Sequence, residues 1–152
     1  MKIFVIIIAT IILFLFFYIS MSEKKSTDTQ SNLTPEQSYI LEKKGTEVPF
    51  SSPLYHETRP GTYLAADTKM PVFRSEQKYE SGTGWPSFWA PISSDAITTK
   101  TDSTLGIERT EVLSTDGGHL GHVFPDGPKP TGLRYCMNGD ALIFVPDEEV
   151  KK

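Results

Sequence analysis

The sequence predicts a mainly antiparallel β domain with one or two short helices, set behind a separate apolar N-terminal segment. Three observations carry this. Eleven Gly and eleven Pro are spread through 152 residues and break the chain into pieces too short for a helical bundle. From Val48 onward, short apolar or β-branched segments alternate with those breakers, which is the texture of strands and turns. Apolar residues make up 38% and aromatics 11%, enough for the core of one domain and too much for a disordered chain.

The remaining composition excludes several functions. Lys and Arg number 15 against 19 Asp and Glu, a formal charge of -4. Such a chain lacks the basic face that displaces phosphate counterions, so general nucleic-acid binding is excluded. The single Cys excludes an internal disulfide and a multi-Cys zinc site.

Residues 1–22 stand apart. Ile3 to Ile19 carries no charge, and as a helix would be about 25 Å long, short for a bilayer span but sufficient. A core helix of a small domain should be amphipathic, and this run is apolar all round. It reads as a signal anchor or a signal peptide. Ser20-Met21-Ser22 is a weak cleavage site, so the length of the run favours the anchor. Lys2 on one side and Lys24 and Lys25 on the other barely discriminate orientation. The expectation is a domain tethered to the membrane through residues 3–19 and lying outside the cytoplasm, or secreted or periplasmic if the segment is cleaved.

Residues 23–33 read as a polar linker. The domain is expected over 34–147, with a charged tail over 148–152 and fraying from Asp147. Thr34-Pro35-Glu36-Gln37 has the form of a capping box with Pro at the first helical position. Tyr39, Ile40 and Leu41 would supply the apolar face of this helix, and Gly45 its end. Strand-like segments follow at Thr62–Leu64, Pro71–Phe73, Ala96–Thr99, Ile107–Leu113, His122–Phe124 and Leu133–Phe144, the last interrupted at Gly139-Asp140.

Three segments hold residues suited to chemistry. In a strand, Arg134, Cys136 and Asn138 would share one face. A guanidinium beside a thiol favours the nucleophilic thiolate, which makes Arg134 a thiolate-stabilising candidate. A lone Cys is otherwise more often a buried inert thiol. His119 and His122 flank Leu120-Gly121, and a bulge there could bring both rings to one site. They suit acid-base work beside a thiolate, or a metal, or are two solvated histidines in a Gly-rich loop. Gly82-Thr83-Gly84-Trp85 would present Trp85 to a cleft, although core packing suits any Trp; Phe88 and Trp89 are expected in the core.

Taken together, Ser-Gly-Thr-Gly-Trp-Pro-Ser-Phe from Ser81, Arg-Thr-Glu-Val from Arg109, His-Leu-Gly-His-Val-Phe-Pro-Asp-Gly-Pro from His119 and Gly-Leu-Arg-Tyr-Cys-Met-Asn from Gly132 closely resemble the B-type methionine sulfoxide reductases. The resemblance runs from about Thr34 to Pro146. It implies two antiparallel sheets in a compact barrel-like or sandwich-like domain with short peripheral helices. It implies reduction of the R epimer of methionine sulfoxide, free or in proteins, as protein repair under oxidative stress. It assigns Cys136 as the nucleophile that becomes a sulfenic acid. His119, His122 and Asn138 match the residues around the sulfoxide oxygen, Trp85 the wall for the substrate methyl group, and Phe124 a further lining residue.

Two departures follow from that alignment. Many relatives hold a structural zinc with two Cys-x-x-Cys pairs. Here the first pair falls at Ala65 and Thr68, and the second at Leu113 and Asp116, or one residue later at Ser114 and Gly117. No metal or other cofactor is therefore expected. The resolving Cys of many relatives is Thr83 here, so an external reductant, a small thiol or a thioredoxin-like dithiol protein, must recycle Cys136. The competing reading is a catalytically silent module that binds methionine or methionine sulfoxide in peptides.

Overall fold

A computed structural model describes residues 33–104 and 106–148. The expected membrane segment over 3–19, the linker up to residue 32 and the tail over 149–152 lie outside the described residues. No described helix is long and apolar enough to cross a membrane.

The helix start is built as its sequence dictates. Helix α1 spans Pro35–Lys43, with the Thr34 hydroxyl accepting from the Gln37 amide and the Gln37 side chain accepting from the Thr34 amide. Ile40 and Leu41 are buried, but Tyr39 is exposed, because three consecutive residues span too wide an arc to share one face. Termination falls one residue earlier than expected. Lys44 takes a left-handed conformation at φ 56°, and the Gly45 amide returns to the Tyr39 carbonyl.

The strands are β1 (Gly61–Ala65), β2 (Pro71–Arg74), β3 (Lys78–Tyr79), β4 (Ser87–Phe88), β5 (Thr98–Asp102), β6 (Arg109–Leu113), β7 (His119–Phe124), β8 (Arg134–Met137) and β9 (Leu142–Pro146). They form a three-stranded sheet in the order β2-β1-β9 and a six-stranded sheet in the order β3-β4-β8-β7-β6-β5. Every pairing is antiparallel. Both sheets keep open edges, so the barrel form of the expected domain is not made. The expected fraying from Asp147 is also not seen at that residue. Its carboxylate accepts twice from Arg74, at 2.8 and 3.0 Å, and its amide donates to the Pro60 carbonyl.

Aromatic residues join the sheets. Phe73 of β2 stacks on Phe88 of β4 with ring centroids 4.4 Å apart. Tyr63 of β1 meets Phe88 edge-on at 4.9 Å, and Tyr135 of β8 lies 5.9 Å from Phe73. Tyr63, Phe73 and Phe88 are fully buried, whereas Trp89, expected beside Phe88 in the core, is only partly buried and donates from its indole to the Glu76 carbonyl. Period-2 alternation then decides the other face of the larger sheet. Phe88, Tyr135 and Met137 point into the core, so Ser87, Arg134 and Cys136 point away from it.

Truncating the stacked ring should be costly. Phe73→Ala is expected to lower unfolding free energy by about 3–5 kcal/mol, the range for a large buried side chain. Urea denaturation measures this, and a loss under about 1 kcal/mol would contradict the packing described.

Candidate functional site

Register assembles the site. Cys136 of β8 lies opposite Ser87 of β4 on one side and opposite His122 of β7 on the other. His122 in turn lies opposite Glu111 of β6. Directly opposed residues share a face, so Ser87, Cys136, His122 and Glu111 form one row across four strands. Gly121 lets β7 and β8 close at this point: a Cβ there would fall 2.2 Å from the Cys136 carbonyl oxygen.

His119 reaches the same row through an irregularity. In regular strand geometry residues three apart face opposite ways. Here Val112 pairs with Gly121 but Leu113 pairs with His119, leaving Leu120 as an extra residue in β7. The bulge brings the His119 and His122 rings to 5.3 Å between centroids. Each ring is held by a carboxylate that the sequence did not single out. His119 Nδ1 bonds Glu111 Oε1 at 2.8 Å, with both side chains buried. His122 Nε2 bonds Asp102 Oδ2 at 2.8 Å. Asp102 also accepts from the Thr104 amide, the Thr104 hydroxyl and Arg109.

These carboxylates are held ionised. Hydrogen bonds from the Thr104 hydroxyl and amide, then His122, keep Asp102 well below the usual carboxylate range. Burial alone would raise Glu111, but bonds from Lys44 and His119 outweigh it and leave it lowered. Burial lowers His119, against the opposing pull of Glu111. A carboxylate accepts only, so Glu111 fixes the tautomer with the proton on Nδ1 and leaves His119 Nε2 as the free nitrogen.

Cys136 is half-buried. Burial raises its thiol, opposed first by a hydrogen bond from Thr83 and then by the charge of Arg134. Arg134 does share the face of Cys136, but its guanidinium is engaged by Asp126 at 2.9 and 2.8 Å. It also lies 4.5 Å from the Phe124 ring centroid. Phe124 closes this end of the face, 6.4 Å from His122 between ring centroids.

The Trp85 loop reaches the sulfur through Thr83. Thr83 Oγ1 lies 3.9 Å from Cys136 Sγ, and the Trp85 indole donates to the Glu47 carbonyl at 3.2 Å. Glu47 is buried, and burial raises its carboxyl. It accepts from the Gly139 and Asp140 amides at 2.7 and 2.9 Å, while its own amide donates to Asn138 Oδ1. One residue thus fixes both the Trp85 loop and the turn that follows Cys136. Strand β8 ends at Met137, and Asn138, still extended, precedes the 3-10 turn Gly139–Ala141. Its side-chain amide donates to the Leu120 carbonyl and accepts from the Glu47 amide, which braces the bulge.

The chain is matched by the family model described as the SelR domain over residues 33–146. It is 49% identical over 124 residues to the peptide methionine sulfoxide reductase MsrB of Agrobacterium fabrum, covering 81% of this chain and 92% of that protein. It is 52% identical over 122 residues to the protein of the same name from Leptospira interrogans, covering 80% and 93%.

The chain belongs to the B-type methionine sulfoxide reductase family.

As a family member it is an oxidoreductase, and its reaction is the reduction of methionine sulfoxide; the silent binding module is not favoured. Strand register and the bulge put Cys136, His119, His122, Phe124 and Arg134 of the reductase on one face, and the loop that carries Trp85 meets it at Thr83. Glu47, Asp102 and Glu111 went unassigned at the level of sequence. Glu111 sits inside a motif that carried the resemblance, but only burial and pairing show what these carboxylates hold. The donor set does not fit the zinc of the wider family. Ala65 and Leu113 carry no ligand atom, and the two turns are instead clasped by a 2.5 Å hydrogen bond from Ser114 Oγ to Asp67 Oδ2. Among the described residues, no group of three or more His, Cys, Asp or Glu could hold a metal.

Stability should fall on acidification, by two routes of the same sign. With His119 lowered by burial, the unfolded chain takes up a proton from about pH 6.5 downward that the folded chain declines. With Glu111 lowered, its contribution is present above its unfolded value and lost as pH drops through the folded one. Urea midpoints should therefore fall from pH 7.5 to pH 5 through His119, and further below about pH 4.5 through Glu111. Glu111→Gln removes the group that raises His119, so the His119 ring should titrate at lower pH by NMR. An unchanged or higher midpoint would contradict the pairing.

Proposed function

We propose that this reductase acts on the R epimer of methionine sulfoxide, free or in proteins, through a Cys136 sulfenic acid that an external thiol recycles. The observation that carries this reading is the placement of Cys136 Sγ on one face with two carboxylate-anchored imidazoles and the Trp85 loop.

In the proposed step the Cys136 thiolate attacks the electrophilic sulfur. An imidazole takes the thiol proton and passes it to the sulfoxide oxygen. An S–S bond forms as the S–O bond breaks, the oxygen leaves as hydroxide, and its attack on the Cys136 sulfur breaks the S–S bond and releases methionine. The oxygen ends on Cys136, so thiol plus sulfoxide becomes sulfenic acid plus thioether. Two external thiols, or one dithiol, then return Cys136 to the thiol, with a disulfide and water as products. Trp85 on one side and imidazoles on the other support epimer choice, because exchanging methyl and oxygen would strand the oxygen against an apolar wall.

The reading extends to the reductase's surroundings. The donor set at Ala65, Thr68, Leu113 and Asp116 supports a zinc-free domain. The charge-free run Ile3–Ile19 supports a membrane-tethered domain outside the cytoplasm, served by a thioredoxin-like dithiol protein on the same side of the bilayer.

Single-turnover assays on both epimers test the chemistry. Wild type should release one methionine per Cys136 from the R epimer without added reductant, and Cys136→Ser none. His119→Gln and His122→Gln should each slow this step by something on the order of 10²–10⁴-fold, the usual reach of acid-base catalysis. Equal rates on both epimers, or turnover by Cys136→Ser, would overturn the proposal. Elemental analysis should find no stoichiometric zinc, and one zinc per chain would refute that part. Thr83→Cys should form a disulfide with Cys136 on turnover, since the side chains already approach within 3.9 Å.

A further inference from the structure

Three hydroxyls surround Cys136 that the reduction step above does not use. Ser87 lies opposite Cys136 in the β4–β8 register and is almost wholly buried. Its Oγ lies 3.1 Å from the Trp85 carbonyl oxygen and 2.7 Å from Ser81 Oγ. Ser81 Oγ lies 2.8 Å from Thr83 Oγ1, and Thr83 Oγ1 lies 3.9 Å from Cys136 Sγ. The hydroxyls form an unbroken chain from a backbone carbonyl to the sulfur.

The far end of this chain sets its sense. A carbonyl oxygen only accepts, so Ser87 spends its proton on Trp85. Ser87 then accepts from Ser81, Ser81 from Thr83, and Thr83 from the Cys136 thiol. That is one consistent direction for the protonated state. Loss of the thiol proton removes the donor to Thr83. The Thr83 hydroxyl is then free to rotate and donate to the sulfur, while Ser81 turns to donate to Thr83 and Ser87 turns from the Trp85 carbonyl to donate to Ser81. Hydroxyls can make this reversal because each is both donor and acceptor; a methyl group at any link would break it.

We propose that the Thr83-Ser81-Ser87 hydroxyl chain is a reversible relay that positions Cys136 and supplies the donor its thiolate needs. This rests on the reading of Cys136 as the nucleophile. The relay answers a specific deficit. Arg134 is the guanidinium on the same strand face, but its charge is shared with Asp126 through two hydrogen bonds. Of the other elements packed against the sulfur, β7 offers His122, already bonded to Asp102, and β3 offers the Tyr79 phenol. Tyr79 lies opposite Ser87 and its hydroxyl is buried with no hydrogen-bond partner. Burial dominates at the thiol and disfavours the thiolate; the hydrogen bond from Thr83 is the first effect acting the other way, followed by the charge of Arg134 and hydrogen bonds from Ser87 and Arg134. The residue at the expected resolving position thus has a role of its own: Thr83 Oγ1 provides a hydrogen bond where a second thiol would provide a disulfide.

Thiol alkylation tests this without reference to methionine sulfoxide, because Cys136 is the only Cys and iodoacetamide reports on it alone. Thr83→Val keeps the shape and removes the hydroxyl. It should slow alkylation at pH 7.5 by about tenfold, shift the pH midpoint upward by about one unit, and match wild type at pH high enough to ionise the thiol fully. Thr83→Ser should restore the wild-type profile. Ser81→Ala, which cuts the chain one link back and leaves the contact to sulfur in place, should give a smaller upward shift. Superimposable profiles for wild type and Thr83→Val would overturn the relay. So would equal displacement by Thr83→Val and Thr83→Ser, which would indicate a loop disturbed by any replacement. A confirmed shift with no turnover on either epimer would leave the relay standing and sink the proposed reaction instead.

Discussion

The site depends on one constraint, the register of β8 between β4 and β7. Cys136 is opposed by Ser87 on one side and His122 on the other. A slip of one residue would turn Cys136 into the core and Tyr135 out of it, because side chains alternate with a period of two. The aromatic packing of Tyr135 and Phe88 against Phe73 and Tyr63 resists that slip. Core packing on one face thereby holds the chemistry on the other.

Around this row, buried carboxylates do the positioning. Glu111 anchors His119, Asp102 anchors His122, and Glu47 ties the Trp85 loop to the turn after Cys136. Each reaches residues distant in sequence and accepts several donors, as a buried or partly buried charge requires. Glu47 is 91 positions from Asn138, whose side chain accepts its amide. Such links turn a face of short strands and loops into a shaped site, since the imidazoles and the loop beside Cys136 are fixed by groups behind them.

Pattern alone made much of the fold legible. The capping box at Thr34, the strands around Tyr63, Val72, Val112 and Val123, and the inward turn of Tyr135 and Met137 all follow local rules of period and punctuation. The two-residue strands β3 and β4 did not show, because a piece that short has no period. The Gly-rich Trp85 loop concealed Ser87 for the same reason.

What the sequence by itself determined is the inventory: one thiol, two histidines with Gly121 between them, a Trp in a Gly-x-Gly loop, and no thiolates where the wider family binds zinc. These depend on residue type and spacing along the chain, which the sequence states directly. Only the tertiary structure decided which of them meet. The Leu120 bulge turned His119 toward His122, Asp126 claimed Arg134, and burial set the thiol of Cys136 against the hydroxyl of Thr83. Proton position and charge depend on partners and on exclusion from water, and both arise only where segments far apart in sequence pack together.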